Sequence, residues 1–308
     1  MNIKTIVVIA LTFVFLTVLG LTLIVPAPPK LIRIAAGVED GSGYVTANRI
    51  KNLVEKNGIK FEIIATKGNV ENIELLANKE ANVSLAIVQS GNFKPQDYPH
   101  LESIANLYLT PLLVIYRKAS FDKPPEFVRH FNHKKISIGP SQGNASLLFK
   151  RSIDFGSSKN NFDTSTVVSW DISKSLYEME RGKLDAVVIV EKPDEEEEIM
   201  AALKNPDFGI FNMVKAAAYP SRIKSAKLVE IPRATFNLQA NSPPEDIKTI
   251  GVSAELIADK GINPAITGLI LDIISKTESG RSILQKEKDY PNDRELSFDQ
   301  NEDSARYF

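Results

Sequence analysis

The sequence contains no cysteine. Disulfides, thiol nucleophiles and thiolate metal sites are therefore excluded. Charge of either sign is not in excess: the formal net charge is −1. Nucleic-acid binding needs a basic face, so no nucleic-acid partner is expected. Nucleotide fingerprints are missing too. The first glycine loop, Gly37–Tyr44, is not G-x-G-x-x-G, and no Gly-Lys-Ser/Thr follows it. Histidine is scarce, with three in the chain. His130 and His133 lie in the polar stretch FVRHFNHKK without a third ligand, and His100 follows Tyr98-Pro99 in a loop. No Ser-His-Asp order, nucleophile elbow or paired-carboxylate motif is present. A chain without acid–base machinery reads as a binder rather than an enzyme, and no cofactor is expected.

What is present is an ordinary core-forming composition, 43% hydrophobic and 24% charged over 308 residues, enough for about two domains. Thr5 to Val25 carries no charge. At 1.5 Å per residue this run reaches about the 30 Å thickness of a bilayer's hydrocarbon. It reads as an uncleaved membrane anchor, with a cleaved signal peptide as the alternative. Pro26-Ala27-Pro28-Pro29 then forms a stiff spacer.

From Leu31 onward strands and helices alternate. Strand Leu31–Ala36, helix Val45–Glu55, strand Lys60–Thr66, helix Val70–Asn78 and strand Val83–Val88 make one half. Leu112–Tyr116 is another buried run. The design repeats with strand Lys135–Ile138, helix Ala145–Phe155, strand Thr166–Ser169, a helix through Ile172, Leu176 and Met179, and strand Leu184–Val190. The strands are nearly continuous apolar runs, as in parallel strands covered on both faces. The two β–loop–α–β–α–β halves lie near 31–115 and 125–225. Glu245–Val252 holds a further strand, Ala265–Ser275 a helix, and Lys286–Phe308 a polar, mostly irregular tail. The acidic run Asp194–Glu198 reads as a solvated helix start with no assigned function.

Three loops are candidates for a ligand site. Gly37–Tyr44 joins a strand to a helix start, where backbone N–H groups and the helix dipole favour an anion. Ser42 is either an N-cap or a contact, and Tyr44 either stacks on a ligand or packs on the sheet. In Thr66–Asn72, Asn69 is a candidate N-cap and Asn72 sits in the first turn; capping and ligand contact are evenly matched. Gly139–Ser146, rich in small and hydroxyl residues, opens a helix in the second half and can hold a carboxylate. Trp170, the sole tryptophan, stands at a strand's carboxyl end, where α/β sheets place their crevice; packing is the alternative.

Six segments are similar to the TRAP-associated extracytoplasmic immunogenic (TAXI) family, solute-binding subunits of tripartite ATP-independent periplasmic transporters. They are IAAGVEDGSGYVTA, TKGNVENIELLANKEANVSLAIVQ, ANLYLTPLLVIYRK, KKISIGPSQGNAS, GKLDAVVIV and IPRATFNLQANSPPEDIKTIGVSAELI, spanning most of Ile32 to Ala258. The chain departs from that family's usual pattern in three places. Gly43-Tyr44 stands for Tyr-Tyr, Asn69 for a serine, and Ser141-Gln142-Gly143-Asn144-Ala145 for Gly-Ser-Gly-Thr.

The resemblance implies an α/β type II periplasmic-binding-protein fold whose two lobes close on a solute. It implies a division into an N-terminal anchor or signal, residues 1–30; lobe 1, residues 31–118 and 231–308; and lobe 2, residues 119–230. Gly41, Ser42, Gly43, Tyr44, Asn72 and Gln89 would lie on one cleft wall, and Ser141, Gly143, Asn144 and Ala145 on the other. The implied ligand is a small organic anion of amino-acid or dicarboxylate type, and the implied partner is a TRAP membrane subunit in a periplasmic setting. A ligand sensor of the same fold is the rival.

Overall fold

The computed structural model describes residues 3–24, 28–39, 41–156 and 162–308. Val25 and the first half of the proline spacer, Pro26 and Ala27, lie outside the described residues, as does Asp40 of the first loop. The chain begins with helix α1, Ile3–Ile24. Among the described residues no helix is long and apolar enough to cross a membrane, so the expected anchor gains no support here.

The first lobe is built on β1 (Leu31–Gly37), β2 (Lys60–Ala65), β3 (Leu85–Gln89) and β4 (Leu101–Pro111), with helices α2 (Ser42–Val54) and α3 (Asn69–Ala77) as crossovers. β1 pairs in parallel with both β2 and β3. β3 is buried along its whole length because both faces are covered. On one face α2 supplies Ala47, Ile50 and Val54, spaced to share a helix stripe, and on the other α3 supplies Ile73 and Leu76. Each large apolar side chain so buried is worth about 1.5–3 kcal/mol. α2 ends through a short 3-10 turn at Gly58, whose φ of 77° an L side chain resists. Its start is pressed onto β1: a Cβ at Gly43 would meet the Ala36 carbonyl oxygen at 2.5 Å.

The second lobe contains β5 (Leu113–Arg117), β6 (Ile136–Ser137), α4 (Asn144–Gly156), β7 (Val167–Val168), α5 (Ile172–Glu180), β8 (Ala186–Ile189), α6 (Glu197–Lys204) and β9 (Phe208–Ile210). Its sheet runs β7-β6-β8-β5-β9, parallel at β7-β6-β8 and antiparallel at β5. The chain returns through β10 (Lys227–Ile231) and the long strand β11 (Ile247–Asp259) into α7 (Pro264–Thr277). β11 pairs antiparallel with β3, β4 and β10 and completes the first sheet. β4 and β11 therefore lie side by side where the chain passes between lobes, and Leu112 N donates to Ile250 O at 2.7 Å beside that passage.

The C-terminal tail is irregular until α8 (Glu302–Tyr307) and docks on the first lobe. Phe298 enters its core, and Asn292 and Gln300 make bridges to Asn106 and Ser103. The tail also solves a polar problem. Glu255 is fully buried, and its carboxylate accepts from Ser90 Oγ at 3.0 Å, from Ser297 N at 3.0 Å and from Ser103 Oγ. An unpaired carboxylate there would be costly.

Candidate functional site

A cavity of about 290 Å3 lies between the lobes, at the carboxyl ends of the parallel strands. The first lobe contributes the ends of β1 and β3, the starts of α2 and α3, and Tyr108, Thr110 and Ala254 from the two long strands. The second contributes Gly139, Pro140 and Gly143–Ala145, the start of α5, the end of β8, and Ile199 of α6. Most of the wall is apolar, from Val38, Ile87, Val88, Ile172 and Val188–Val190. The lobes meet closely at its mouth: a Cβ on Gly68 would lie 2.9 Å from Gln142 O, and Gly68 holds a φ of +129°.

A few polar groups are set into this apolar wall, and several are locked in orientation. Gln89 Nε2 donates to Thr110 Oγ1 at 3.0 Å, while Thr110 Oγ1 donates to Val252 O at 2.9 Å. Thr110 has one proton, so the amide nitrogen of Gln89 must be its partner and Gln89 Oε1 must point elsewhere. Gln89 N donates to Asn69 Oδ1 at 3.1 Å, which fixes Asn69 in the same way. Gln89 Oε1, Asn69 Nδ2 and Asn144 Oδ1 are buried and have no hydrogen-bond partner among the described residues. Each would cost about 1–3 kcal/mol if nothing ever met it. Three such groups belong to residues that line one cavity, and they come from both walls.

The second lobe reaches across with a carboxylate. Ser42 N, at the start of α2, donates to Glu191 Oε2 at 3.0 Å, and Lys192 N donates back to Ser42 Oγ at 2.9 Å. Glu191 is half-buried, and it also lines the cavity. Burial pushes its carboxyl above the usual range; the Ser42 bonds oppose this and nearby Glu195 adds to it. Tyr108, fully buried beside it, is raised well above the usual phenol value, first by burial and then by Glu191, Glu278 and Glu195.

Behind the cavity a charge network ties the lobes. Arg49 of α2 pairs with Glu195 at 3.0 Å across the cleft and with Glu278 at 3.2 Å within its own lobe. Lys192 bonds Glu195 and sits 3.8 Å from Glu278. Two cations and two carboxylates balance. Burial alone would lower Arg49, but its two carboxylate partners outweigh that and raise it.

Of the residues named from the sequence, Gly41, Gly43, Asn72, Gln89, Gly143, Asn144 and Ala145 line the cavity. Asn72 is internally tied: its Nδ2 donates to Ile87 O at 2.7 Å, and its Oδ1 meets Thr66 Oγ1. Ser42 is buried in the contact between lobes and caps nothing; Gly41 is the N-cap of α2. Tyr44 packs against the first lobe's core, and Ser141 is exposed; neither lines the cavity. Asn69 is the first residue of α3, and its side chain serves β3 rather than the cap. Trp170 lies outside the wall, packed in the second lobe's core with Lys174 Nζ 4.7 Å from its ring. The residues that sequence reasoning missed are Thr110, Tyr108, Glu191 and the network partners Arg49, Lys192, Glu195 and Glu278. The acidic run was visible; its partners were far away in the chain.

A model of the NMT1-like family matches residues 34–274. No curated protein matches the chain. Among solved structures, a protein from Bordetella bronchiseptica RB50 aligns over 81% of this chain and 71% of its own with 10% identity and a TM-score of 0.53. The periplasmic aliphatic sulphonate binding protein SsuA from Escherichia coli aligns over 82% and 69%, with 11% identity and a TM-score of 0.49. The alkanesulfonate-binding protein SsuA from Xanthomonas axonopodis pv. citri, solved with MOPS, aligns over 82% and 73%, with 12% identity and a TM-score of 0.49. The architecture is the type II periplasmic-binding-protein fold: two α/β lobes, adjacent connecting strands, and a cavity between them.

Proposed function

Because the chain belongs to the NMT1-like family, we propose that it is an extracytoplasmic solute receptor that captures a small carboxylate-bearing molecule, of amino-acid or dicarboxylate type, by lobe closure. The observation that carries this reading is the cavity of about 290 Å3 between the lobes, into whose wall both lobes set unpartnered buried amide groups. Its size is near the lower end of ligand pockets, about 300–1,000 Å3, which suits a metabolite. The reading continues with delivery to a TRAP membrane subunit, which rests on the similarity of the six segments to TAXI proteins. A periplasmic location follows from that role. Tethering to the membrane rests on the uncharged run Thr5–Val25.

Differential scanning fluorimetry against metabolite carboxylates and amino acids, with product analysis by NMR, tests the binding role. A rise in melting temperature for one class without turnover is expected; consumption of the compound would mean an enzyme. Retention of the full chain in carbonate-washed membranes tests the tether. Co-purification with a multi-span permease tests delivery.

A further inference from the structure

The cavity's charge is not what an anion receptor would carry. Its charged lining is Lys67, Asp171, Glu191, Glu196 and Glu198. Lys67, Asp171 and Glu198 are exposed at the rim, and Asp171 is committed to capping α5 through Lys174 N at 2.7 Å. Glu191 and Glu196 are half-buried, and the Glu191 carboxylate is the one held in the contact between the lobes. Moreover, the anion cradle legible in the first glycine loop is already filled. The Ser42 amide at the start of α2 donates to Glu191, so the second lobe itself supplies the anion that the helix end favours. A solute carboxylate placed there would displace Glu191 or lie against it, and two carboxylates sharing a desolvated site repel.

The unpartnered groups point the same way. Gln89 is only 3% exposed, and its Oε1 is held as an acceptor by the Thr110 relay. Asn144 Oδ1 is a second unmet acceptor, on the opposite wall. Both ask for hydrogen-bond donors. Asn69, also 3% exposed, offers one unmet donor in Nδ2. A ligand matched to this set brings an N–H-rich cationic group and a single acceptor group.

Resting on the receptor reading above, we propose that the solute carries a protonated amino group whose counter-ion is Glu191, with Gln89 Oε1 and Asn144 Oδ1 accepting from it, so that Glu191 selects aminated solutes over dicarboxylates. Asn69 Nδ2 takes the solute's acceptor end. The apolar wall of Val38, Ile87, Ile172 and Val190 takes its carbon skeleton. Burial raises the Glu191 carboxyl in the ligand-free protein, and an ammonium beside it would lower it again. The charged and titratable neighbours that bear on Glu191 are Glu195 and Tyr108, with Lys192 next to it in the chain and engaged with Glu195 and Glu278.

The test is isothermal calorimetry on the full chain with length-matched series. Each series holds an α-amino acid, its deaminated monocarboxylate, the dicarboxylate and the simple amine, and the series span two to six carbons. The aminated members should bind at least 10-fold more tightly than their deaminated and dicarboxylate counterparts. Glu191→Gln should remove most of that preference. Ser42→Ala keeps the carboxylate but drops the Lys192 contact, so it should weaken all members alike and leave the ratio intact. Equal or tighter binding of the dicarboxylates, or an unchanged preference in Glu191→Gln, overturns the proposal while the receptor reading stands. No binding by any member of any series overturns both.

Discussion

Glu195→Gln isolates lobe closure from recognition, because Glu195 joins the lobes without lining the cavity. The substitution removes the charge that faces Arg49 at 3.0 Å across the cleft and that also bonds Lys192. Exposed ion pairs are worth about 0–1 kcal/mol, and breaking a fully buried one costs about 3–5 kcal/mol. The Arg49 side chain is 31% exposed and that of Glu195 16%, so solvent screens this pair in part. Arg49 keeps Glu278 at 3.2 Å, and Lys192 keeps it at 3.8 Å, so neither cation is left bare. The loss across the cleft should therefore be about 1–2 kcal/mol, felt only when the lobes are together, whereas the Lys192 bond lies within the second lobe and is lost in both arrangements. Through linkage, ligand affinity falls by roughly 5- to 30-fold. Calorimetry with the tightest ligand of the series, paired with small-angle scattering of the ligand-free protein, reads both effects. The radius of gyration should rise in the variant and return to the wild-type value at saturating ligand. Raising salt should shrink the difference between variant and wild type. Unchanged affinity with an unchanged radius would refute the claim that this network holds the lobes closed.

Gly68→Ala should weaken ligand binding and lower the melting temperature. The φ of +129° costs about 1–3 kcal/mol in both lobe arrangements, and the Cβ contact with Gln142 O at 2.9 Å burdens only the closed one. Equal affinity for the ligand series would contradict that geometry. Ile50→Ala, in the first lobe's core, should cost about 2–5 kcal/mol in chemical denaturation without altering the amine preference. Glu62 is held down to about 2, first by its hydrogen bond to Lys60 and then by that to Arg33. Its folded-state value lies below its unfolded one, so its stabilising effect is present above the ordinary carboxylate range and fades as pH falls toward 2. An NMR titration in which Lys60→Ala leaves Glu62 at about 2 would disprove the assignment. Glu191 is the opposite case: its raised carboxyl favours the folded state at low pH, and that benefit is lost as pH rises through the folded-state value. Glu191→Gln should flatten the decline in melting temperature above the ordinary carboxylate range, and a decline as steep as in wild type would count against it.

The elements that sequence pattern made visible are those whose burial follows a local period. α2 has its stripe of Ala47, Ile50 and Val54, and β3 is an unbroken apolar run. β4 shows why others were not. Leu101–Pro111 carries Glu102, Ser103, Asn106 and Thr110, all buried, where a period-two reading expects apolar side chains. Those polar groups are satisfied by distant parts of the chain. Asn106 Nδ2 donates to Arg294 O at 2.7 Å, Glu102 meets Asn301, and Thr110 bonds Val252 O. The tail that read as polar and mostly irregular is thus part of why β4 exists as a strand. Long-range partnership also hid the charge network. Asp194–Glu198 looks like a solvated helix start until Arg49, far away in the sequence, is brought against Glu195.

The site itself was legible in position but not in role. Both glycine loops fall on the cavity wall, as paired βα turns at the same point of a repeated half should. Yet the two loops no longer do equivalent work. In the first, the helix start engages the other lobe's Glu191, so its anion-favouring end has become part of the closure contact. In the second, Asn144 keeps an unmet carbonyl oxygen on the cavity side of α4. Recognition has moved instead to the strand ends behind the first loop, where the Gln89 backbone N–H orients Asn69 and Thr110 orients the Gln89 side chain. This division explains why the glycine loop alone suggested an anion while the assembled cavity favours a cation. A helix end states only what charge it prefers, and the fold decides whether the ligand or the protein provides it.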